Sequence, residues 1–198
     1  MKSEYLDPKI YAELYAVMQR ANVNALRVSL ETGLRIDDVL SLTPDQVRGE
    51  RLKYTAKKTG KQGVARLSKQ LRSELLRQSN DRWCFPGMNP TKHRTRQAVY
   101  KDLKKACKLF GVSGQISPHS ARKTFAVELR NRSGVGAVQK ALQHSDAETT
   151  NLYAFADIAA RSGLDEGERI AAIVCDRIEQ MFVSSGIFSQ KSEKNEKK

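Results

Sequence analysis

Four stretches of the chain carry residue types that could act together on a phosphate ester. In chain order they are Arg35 after a Thr-Gly-Leu turn, the hairpin lysines Lys57, Lys58 and Lys61, the pair His119 and Arg122, and finally His144 with Tyr153 nine positions later. Guanidinium groups match phosphate oxygens bidentately and keep their charge. A phenol, with an ordinary pKa of about 10, becomes a nucleophile only when cations and a proton acceptor lie near it.

Each of these residues has an ordinary structural explanation when it is taken alone. Arg35 could be a surface cation on a helix, and Lys58 a solvated charge in a turn. His144 could be a half-buried histidine, and Tyr153, between Leu152 and Phe155, could pack in a core. The spacing of His119 and Arg122 puts both on one helix face, but only the combination of all four stretches favours chemistry over packing.

The elements that would position these residues are mostly helical. Apolar periodicity and capping residues predict helices over Pro8–Gln19, Asn22–Glu31, Ile36–Leu42, Lys69–Gln78, Thr95–Leu109, His119–Arg132, Gly136 to about Ala154, and Glu166 to about Val183. We expect the third of these helices to be closed by Thr43-Pro44. Alternation from Leu52 to Ala56 and the return segment Gly63–Leu67 predict one hairpin. The expected fold class is mainly α with a small antiparallel β-sheet.

The charge of the chain points to a polyanionic partner. The 35 Lys and Arg exceed the 22 Asp and Glu, giving a net charge of +13. Residues 51–72 hold eight Lys or Arg and no acid, and residues 92–105 hold six against one Asp. Such stretches suit phosphate contacts that carry no sequence information, and we expect Lys57, Lys61, Arg94 and Arg96 to make them.

The remaining composition indicates an ordinary cytoplasmic chain. Three cysteines, Cys84, Cys107 and Cys175, form no close pair, which favours buried thiols in a reducing compartment. No apolar run reaches membrane-spanning length, and no metal-ligand spacing or Gly-rich phosphate loop is present in the sequence. We therefore expect no membrane association, no metal and no other cofactor.

The four stretches together resemble the tyrosine recombinase (phage integrase) family. Its pattern is an Arg in a T-G-L-R-x-x-E/D box, a hairpin Lys, a His-x-x-Arg, and a His or Trp shortly before a nucleophilic Tyr. Arg35, His119, Arg122, His144 and Tyr153 match this pattern in order, over roughly residues 25–153. Gln143 departs from the usual Gly and Ala121 from the usual Leu, and neither change removes a reactive group.

The resemblance implies a role for each matching residue in cutting and rejoining DNA without metal or ATP. Tyr153 would attack the phosphate and form a 3′-phosphotyrosyl bond, while Arg35, Arg122 and His144 stabilise the charge that develops on the oxygens. His119 would accept the phenol proton. Lys58 would protonate the leaving 5′ oxygen, although Lys57 and Lys61 stay open as alternatives.

The acid of the box and the limits of the domain follow from the same resemblance. We expect Asp38 to orient Arg35. Residues 1–188 would form the catalytic domain and residues 189–198 a disordered basic tail, and we expect no core-binding domain before the match. The last helix could pack on its own core or on a neighbouring copy.

The resemblance also implies partners and setting. The partners would be double-stranded DNA and further copies of the chain, assembled in a tetrameric synapse. The protein would be bacterial or phage-encoded and associated with the nucleoid. A type IB topoisomerase-like relaxing enzyme and a non-cutting DNA-binding or accessory protein are the alternative functions.

The basic stretches make one prediction about ionic strength. If about four cationic side chains contact phosphates, the association constant for duplex DNA should fall about a hundredfold between about 50 and 200 mM salt, because bound cations release condensed counterions. Fluorescence anisotropy titrations over that range measure the slope. A flat dependence would contradict a binding surface made of these residues.

Overall fold

The computed structural model describes residues 3–142, and all statements of structure below concern those residues. They form seven helices and two strands: α1 (Pro8–Tyr15), α2 (Arg20–Thr32), α3 (Ile36–Leu40), α4 (Pro44–Arg48), β1 (Leu52–Thr55), β2 (Gln62–Ala65), α5 (Lys69–Gln78), α6 (Arg96–Leu109) and α7 (Pro118–Leu142). The strands pair antiparallel, with Leu52 opposite Ala65. The expected fold class is therefore confirmed. The helix and the tail predicted beyond residue 142 lie outside the described residues.

Helix α2 is the centre of the core. It packs against α3, α5, α6 and α7, and its apolar residues Leu26 and Val28 are fully buried. Leu40, Leu75 and Leu103 on three of its neighbours are also fully buried. Arg35 lies between α2 and α3, and His119 lies at the start of α7. All three helices pack in one hydrophobic core, which therefore positions both residues.

Helix α1 is shorter than its apolar pattern predicts. Asp7 caps its first turn by accepting a hydrogen bond from the amide of Lys9 at 2.8 Å, but the helix ends at Tyr15 rather than Gln19. The carboxylate of Asp102 on α6 accepts hydrogen bonds from the amide of Gln19 at 2.9 Å and from the Asn22 side chain at 2.6 Å. These contacts from a distant helix start α2 two residues earlier than expected, at Arg20.

A short helix stands where the sequence predicted only a stop. Pro44 begins α4 instead of merely closing α3, because the side chains of Thr43 and Gln46 form a reciprocal capping box. Proline suits the first helical position, where its missing N–H has no intrahelical partner. The T-P pair is therefore a helix start, and α3 ends earlier, at Leu40.

The predicted break in the last described helix is confirmed at Gly134. Residues 118–142 run as α7, but Gly134 has φ 78° and ψ 175°, which no helix contains. The two predicted segments, before Arg132 and after Gly136, are thus joined across a kink. Cys84 and Cys107 are buried and free, as expected. Among the described residues, no helix is long and apolar enough to span a membrane.

Gly33 ends α2 in a position that only glycine fits. Its φ is 71°, in the left-handed region, and its amide donates to the carbonyl of Ser29. A Cβ built on Gly33 would lie 2.5 Å from the ring of Phe125 and 2.7 Å from Leu142. Close packing of α7 on the end of α2 therefore depends on the missing side chain.

Gly33→Ala should destabilise the protein by about 2–4 kcal/mol, because it adds the left-handed penalty to a steric overlap in a packed site. Gly60→Ala is the matched control, since Gly60 has φ 66° but nothing within 4 Å of a Cβ. It should cost only about 1–2 kcal/mol. Urea unfolding measures both free energies, and equal losses would show that α7 does not press on Gly33.

Candidate active site

One cleft gathers residues from three of the four predicted stretches. Its volume is about 730 Å³. The lining residues from those stretches are Arg35 to Asp38, the hairpin residues Lys57 and Lys58, and Ser117 to His119, and α6 adds Arg96, Gln97 and Tyr100. Groups that are more than 80 residues apart in sequence, such as Arg35 and His119, therefore face a common space.

Arg35 and Arg122 are linked by the turn that follows α2: Arg122 binds its backbone, and Arg35 follows it in the chain. Arg35 is the N-cap of α3, two residues after Gly33, and is half-buried. Arg122 is buried, and its guanidinium donates to the Gly33 carbonyl at 2.5 Å and to the Leu142 carbonyl at 3.1 Å. Its guanidinium thus lies directly behind the turn that presents Arg35 to the cleft.

His119 lies in a strongly cationic environment. Burial first, and then repulsion of a positive ring by Arg122, Lys123, Arg35 and Lys58, together lower its pKa from 6.5 to about 4. The ring is therefore neutral at pH 7 and has a nitrogen able to accept a proton. Arg35, Lys58 and His119 line the same cleft, whereas Arg122 does not line it.

Asp38 ties the hairpin to α3. Its buried carboxylate accepts a hydrogen bond from the backbone amide of Lys57 at 2.9 Å. We predicted that Asp38 orients Arg35, but the hydrogen bond of its carboxylate goes to the hairpin instead. Within the described part of the chain, no ion pair joins Asp38 to Arg35. Asp38 positions the lysines of the turn.

The hairpin lysines divide into two groups. Lys57 and Lys58 line the cleft, whereas Lys61 is exposed outside it. The backbone of the turn is closed by bonds from the amides of Thr59 and Gly60 to the carbonyl of Ala56. Lys57 and Lys58 are therefore the hairpin lysines placed to act as the general acid in the cleft. That Lys58 is the one that reaches a substrate stays a prediction.

The two arginines before and within α6 have different surroundings. Arg94 is half-buried and donates to the side chains of Gln19 and Asn22 at 3.1 and 3.2 Å. It therefore stabilises the start of α2, and a phosphate contact would require these bonds to break. Arg96 is exposed in the cleft, where its Nη1 atom lies 3.7 Å from Asp37 Oδ2.

Sequence reasoning missed two tyrosines near the cleft. Burial raises the pKa of Tyr54, which also feels the charges of Arg122, Asp38 and Arg35, and Tyr100 lines the cleft with its side chain exposed. In the sequence, Tyr54 counts only as one position of the alternation that predicts the first strand. The sequence feature that could have revealed Tyr54 is its position on the inward face of a hairpin whose turn carries lysines.

His144 and Tyr153 lie outside the described residues. The described chain ends at Leu142, two residues before His144, and the Leu142 carbonyl is bound by Arg122. No group of three or more metal-ligating side chains occurs among residues 3–142. The described cleft therefore brings together cations, one imidazole, the carboxylates of Asp37 and Asp38, and hydroxyl groups.

Comparison with known proteins identifies the family. The sequence model of the phage integrase family matches residues 4–159, more than half of the chain. The chain belongs to the phage integrase family. Its curated relatives include tyrosine recombinase XerD of Pseudomonas putida, 31% identical over 141 residues, and XerD of Lacticaseibacillus casei, 31% identical over 144 residues. These matches cover 65% and 70% of this chain but only 47% and 48% of the relatives, so the chain spans about half of their length.

Solved structures of the phage integrase family share the fold. The catalytic domain of bacteriophage HP1 integrase has a TM-score of 0.61 and 21% identity, over 82% of this chain and 96% of that one. The XerH recombinase bound to its difH substrate has a TM-score of 0.63 and 16% identity, over 81% of this chain and 52% of that one. At these identities the likeness establishes the fold.

His119 provides a pH test of the cleft. In an NMR titration of the free protein its ring should have a pKa of about 4 rather than 6.5, and Arg35→Gln should raise that pKa by removing one repelling charge. Because the unfolded chain binds this proton at higher pH than the folded chain, stability should fall as the pH drops from 6.5 towards 4.

The His119→Gln variant is the control for the stability measurement, because the contribution of His119 to that pH dependence should disappear in it. Urea unfolding at several pH values compares the two proteins. A ring that titrates at or above 6.5 in the free protein would contradict both the burial of the ring and the effect of the four positive charges.

Proposed function

We propose that this chain cuts and rejoins duplex DNA at specific sites, with Tyr153 as the nucleophile. The observation that carries the proposal is the convergence of Arg35, Lys58 and His119 on one cleft, with Arg122 directly behind it. Packing alone gives no reason for four cationic or basic groups to collect there, since like charges repel. A phosphate in the cleft would compensate them.

The proposed cleavage step transfers a phosphoryl group without changing the number of ester bonds. The Tyr153 oxygen attacks the phosphorus, the bond to the 5′ oxygen breaks, and a 3′-phosphotyrosyl ester forms. His119 takes the phenol proton, which its depressed pKa permits at pH 7. The arrival of phosphate charge beside His119 would raise that pKa and strengthen it as a base.

The positive groups would stabilise the charge that grows on the non-bridging oxygens. Arg35 faces the cleft, and Arg122 and His144 would complete the set. Lys58 would give its proton to the leaving 5′ oxygen. Attack of a second 5′-hydroxyl on the phosphotyrosyl ester reverses the step. Because the ester energy is conserved, the reaction as proposed needs neither ATP nor a metal.

We further propose that the chain works as the catalytic domain, residues 1–188, of a recombinase that assembles on DNA. Lys57, Lys61 and Arg96 would contact phosphates around the cleft, with Arg94 in a supporting position. Related structures support assembly: lambda integrase was crystallised as a dimer bound to a core site. The bacterial origin of the curated XerD relatives supports a bacterial cytoplasmic setting at the nucleoid, and a tetrameric synapse is the expected complex.

A trapping experiment tests the cleavage. The full chain is incubated with a pool of duplexes that have randomised cores and a nick close to the expected cut, so that a short cleaved fragment diffuses away and religation fails. We expect a covalent protein–DNA band on a denaturing gel, and its recovery and sequencing would reveal the preferred site. Tyr153→Phe should abolish the band, and Arg35→Gln should reduce it about a hundredfold or more, since each removes a group required at the transition state.

Tyr15→Phe is the matched control. It also removes one phenol oxygen, but that oxygen is buried without a hydrogen-bond partner among the described residues, so the band should persist. DNA binding by the folded protein without any covalent band would favour a non-cutting accessory protein. Relaxation of supercoiled plasmid at no preferred sequence would favour a type IB topoisomerase-like enzyme.

A further inference from the structure

Two acidic side chains lie in the cleft beside four cationic ones. Asp37 and Asp38 are neighbours on α3, and both line the space that Arg35 and the hairpin lysines enter. An acid in such a place repels the phosphates of DNA and should weaken binding. Each acid therefore needs a reason to be there, and the structure gives the two acids different ones.

Asp38 is committed to the fold. Its side chain is buried and accepts the amide hydrogen of Lys57, which fixes the turn of the hairpin. Asp37 is exposed, with 57% of its side chain accessible, and its nearest cation is Arg96 across the cleft on α6. It forms no other ion pair within the described part of the chain.

The contact between Asp37 and Arg96 is weak and easily exchanged. The two atoms are 3.7 Å apart, beyond a good hydrogen bond, and the Arg96 side chain is 62% exposed. Ion pairs of this kind contribute little to stability because water screens them. The pair thus does little to hold α3 and α6 together, but it places a negative charge beside Arg96 in the free protein.

We propose that Asp37 is an internal competitor of DNA phosphate for Arg96. Its carboxylate keeps the guanidinium of Arg96 occupied in the free protein and releases it when a phosphate enters the cleft. The inference rests on the proposed function, because it takes DNA as the occupant. Asp37 is a positioning residue that acts through Arg96.

A phosphate in the cleft wins this competition by the number of its contacts. It would find Arg35, Lys57 and Lys58 in the same cleft, whereas the ion pair of Asp37 is with Arg96. DNA that touches the rim without entering the cleft would have to displace Asp37 with a single contact. Asp37 therefore lowers the affinity for loosely placed DNA more than for DNA seated in the cleft.

The test uses Asp37→Asn with a closely matched control. Asp45 is also the second residue of a short helix and also pairs with an arginine: its Oδ1 lies 2.9 Å from Arg48 Nη1, and the side chains of Asp45 and Arg48 are 84% and 70% exposed. Asp45→Asn changes the net charge and the helix terminus in the same way, but Asp45 does not line the cleft.

Binding of a fluorescein-labelled duplex of unrelated sequence is measured by anisotropy at several salt concentrations. We expect Asp37→Asn to bind about two- to fivefold more tightly than Asp45→Asn at low salt. We also expect the plot of log association constant against log salt concentration to be steeper for Asp37→Asn, by up to about 0.9, the slope that one phosphate contact adds, because Arg96 is then free to bind a phosphate. In an Arg96→Gln background the two substitutions should have equal effects.

Equal tightening by the two asparagine variants would overturn the proposal, since only bulk charge would then matter. An excess effect of Asp37→Asn that survives in Arg96→Gln, or weaker binding by Asp37→Asn, would also overturn it.

A wild-type protein that binds no duplex would sink the proposed function, and the competition is then tested separately with inorganic pyrophosphate, followed through the NMR signal of the Arg96 side chain. The competition is upheld if the pyrophosphate concentration at the titration midpoint falls about two- to fivefold in Asp37→Asn but not in Asp45→Asn. An unchanged midpoint, or no pyrophosphate binding, rejects it.

Discussion

A buried guanidinium bound to two backbone carbonyls holds the site together. Arg122 has little access to water, and it donates to Gly33 at the end of α2 and to Leu142 at the far end of α7. A buried charge without such acceptors would be very costly. The carbonyls therefore keep Arg122 charged in the interior, and Arg122 in turn fixes the turn that leads to Arg35 and the last described residues before His144.

The electrostatics of the cleft follow from that arrangement. Burial of the His119 ring lowers its pKa most, and the charges of Arg122, Arg35 and Lys58 lower it in the same direction, so the imidazole is neutral at pH 7. The same field that would repel a proton from His119 would attract a phosphate. A site that is electrostatically strained when empty and relieved by an anion is preorganised in the sense that catalysis of phosphoryl transfer requires.

Neighbouring acids on one short helix show how exposure divides roles. Asp38 is buried and spends its carboxylate on a backbone amide of the hairpin, which makes it part of the framework. Asp37, one residue earlier, is exposed in the cleft and lies 3.7 Å from an exposed arginine, Arg96. The first contact fixes the geometry of the lysine turn, and the second adjusts the charge available to a ligand.

By itself the sequence determined the elements and the chemical groups. Periodicity and caps located α5, α6, the hairpin and the break at Gly134, and the family pattern identified Arg35, His119 and Arg122, because these depend on residues near one another or on a strict order. Only the tertiary structure decided which partner Asp38 binds, that Arg94 turns inward, that Asp37 faces Arg96 and that α2 begins early, at contacts from Asp102. Those outcomes depend on side chains from distant elements, whose distances no local pattern encodes.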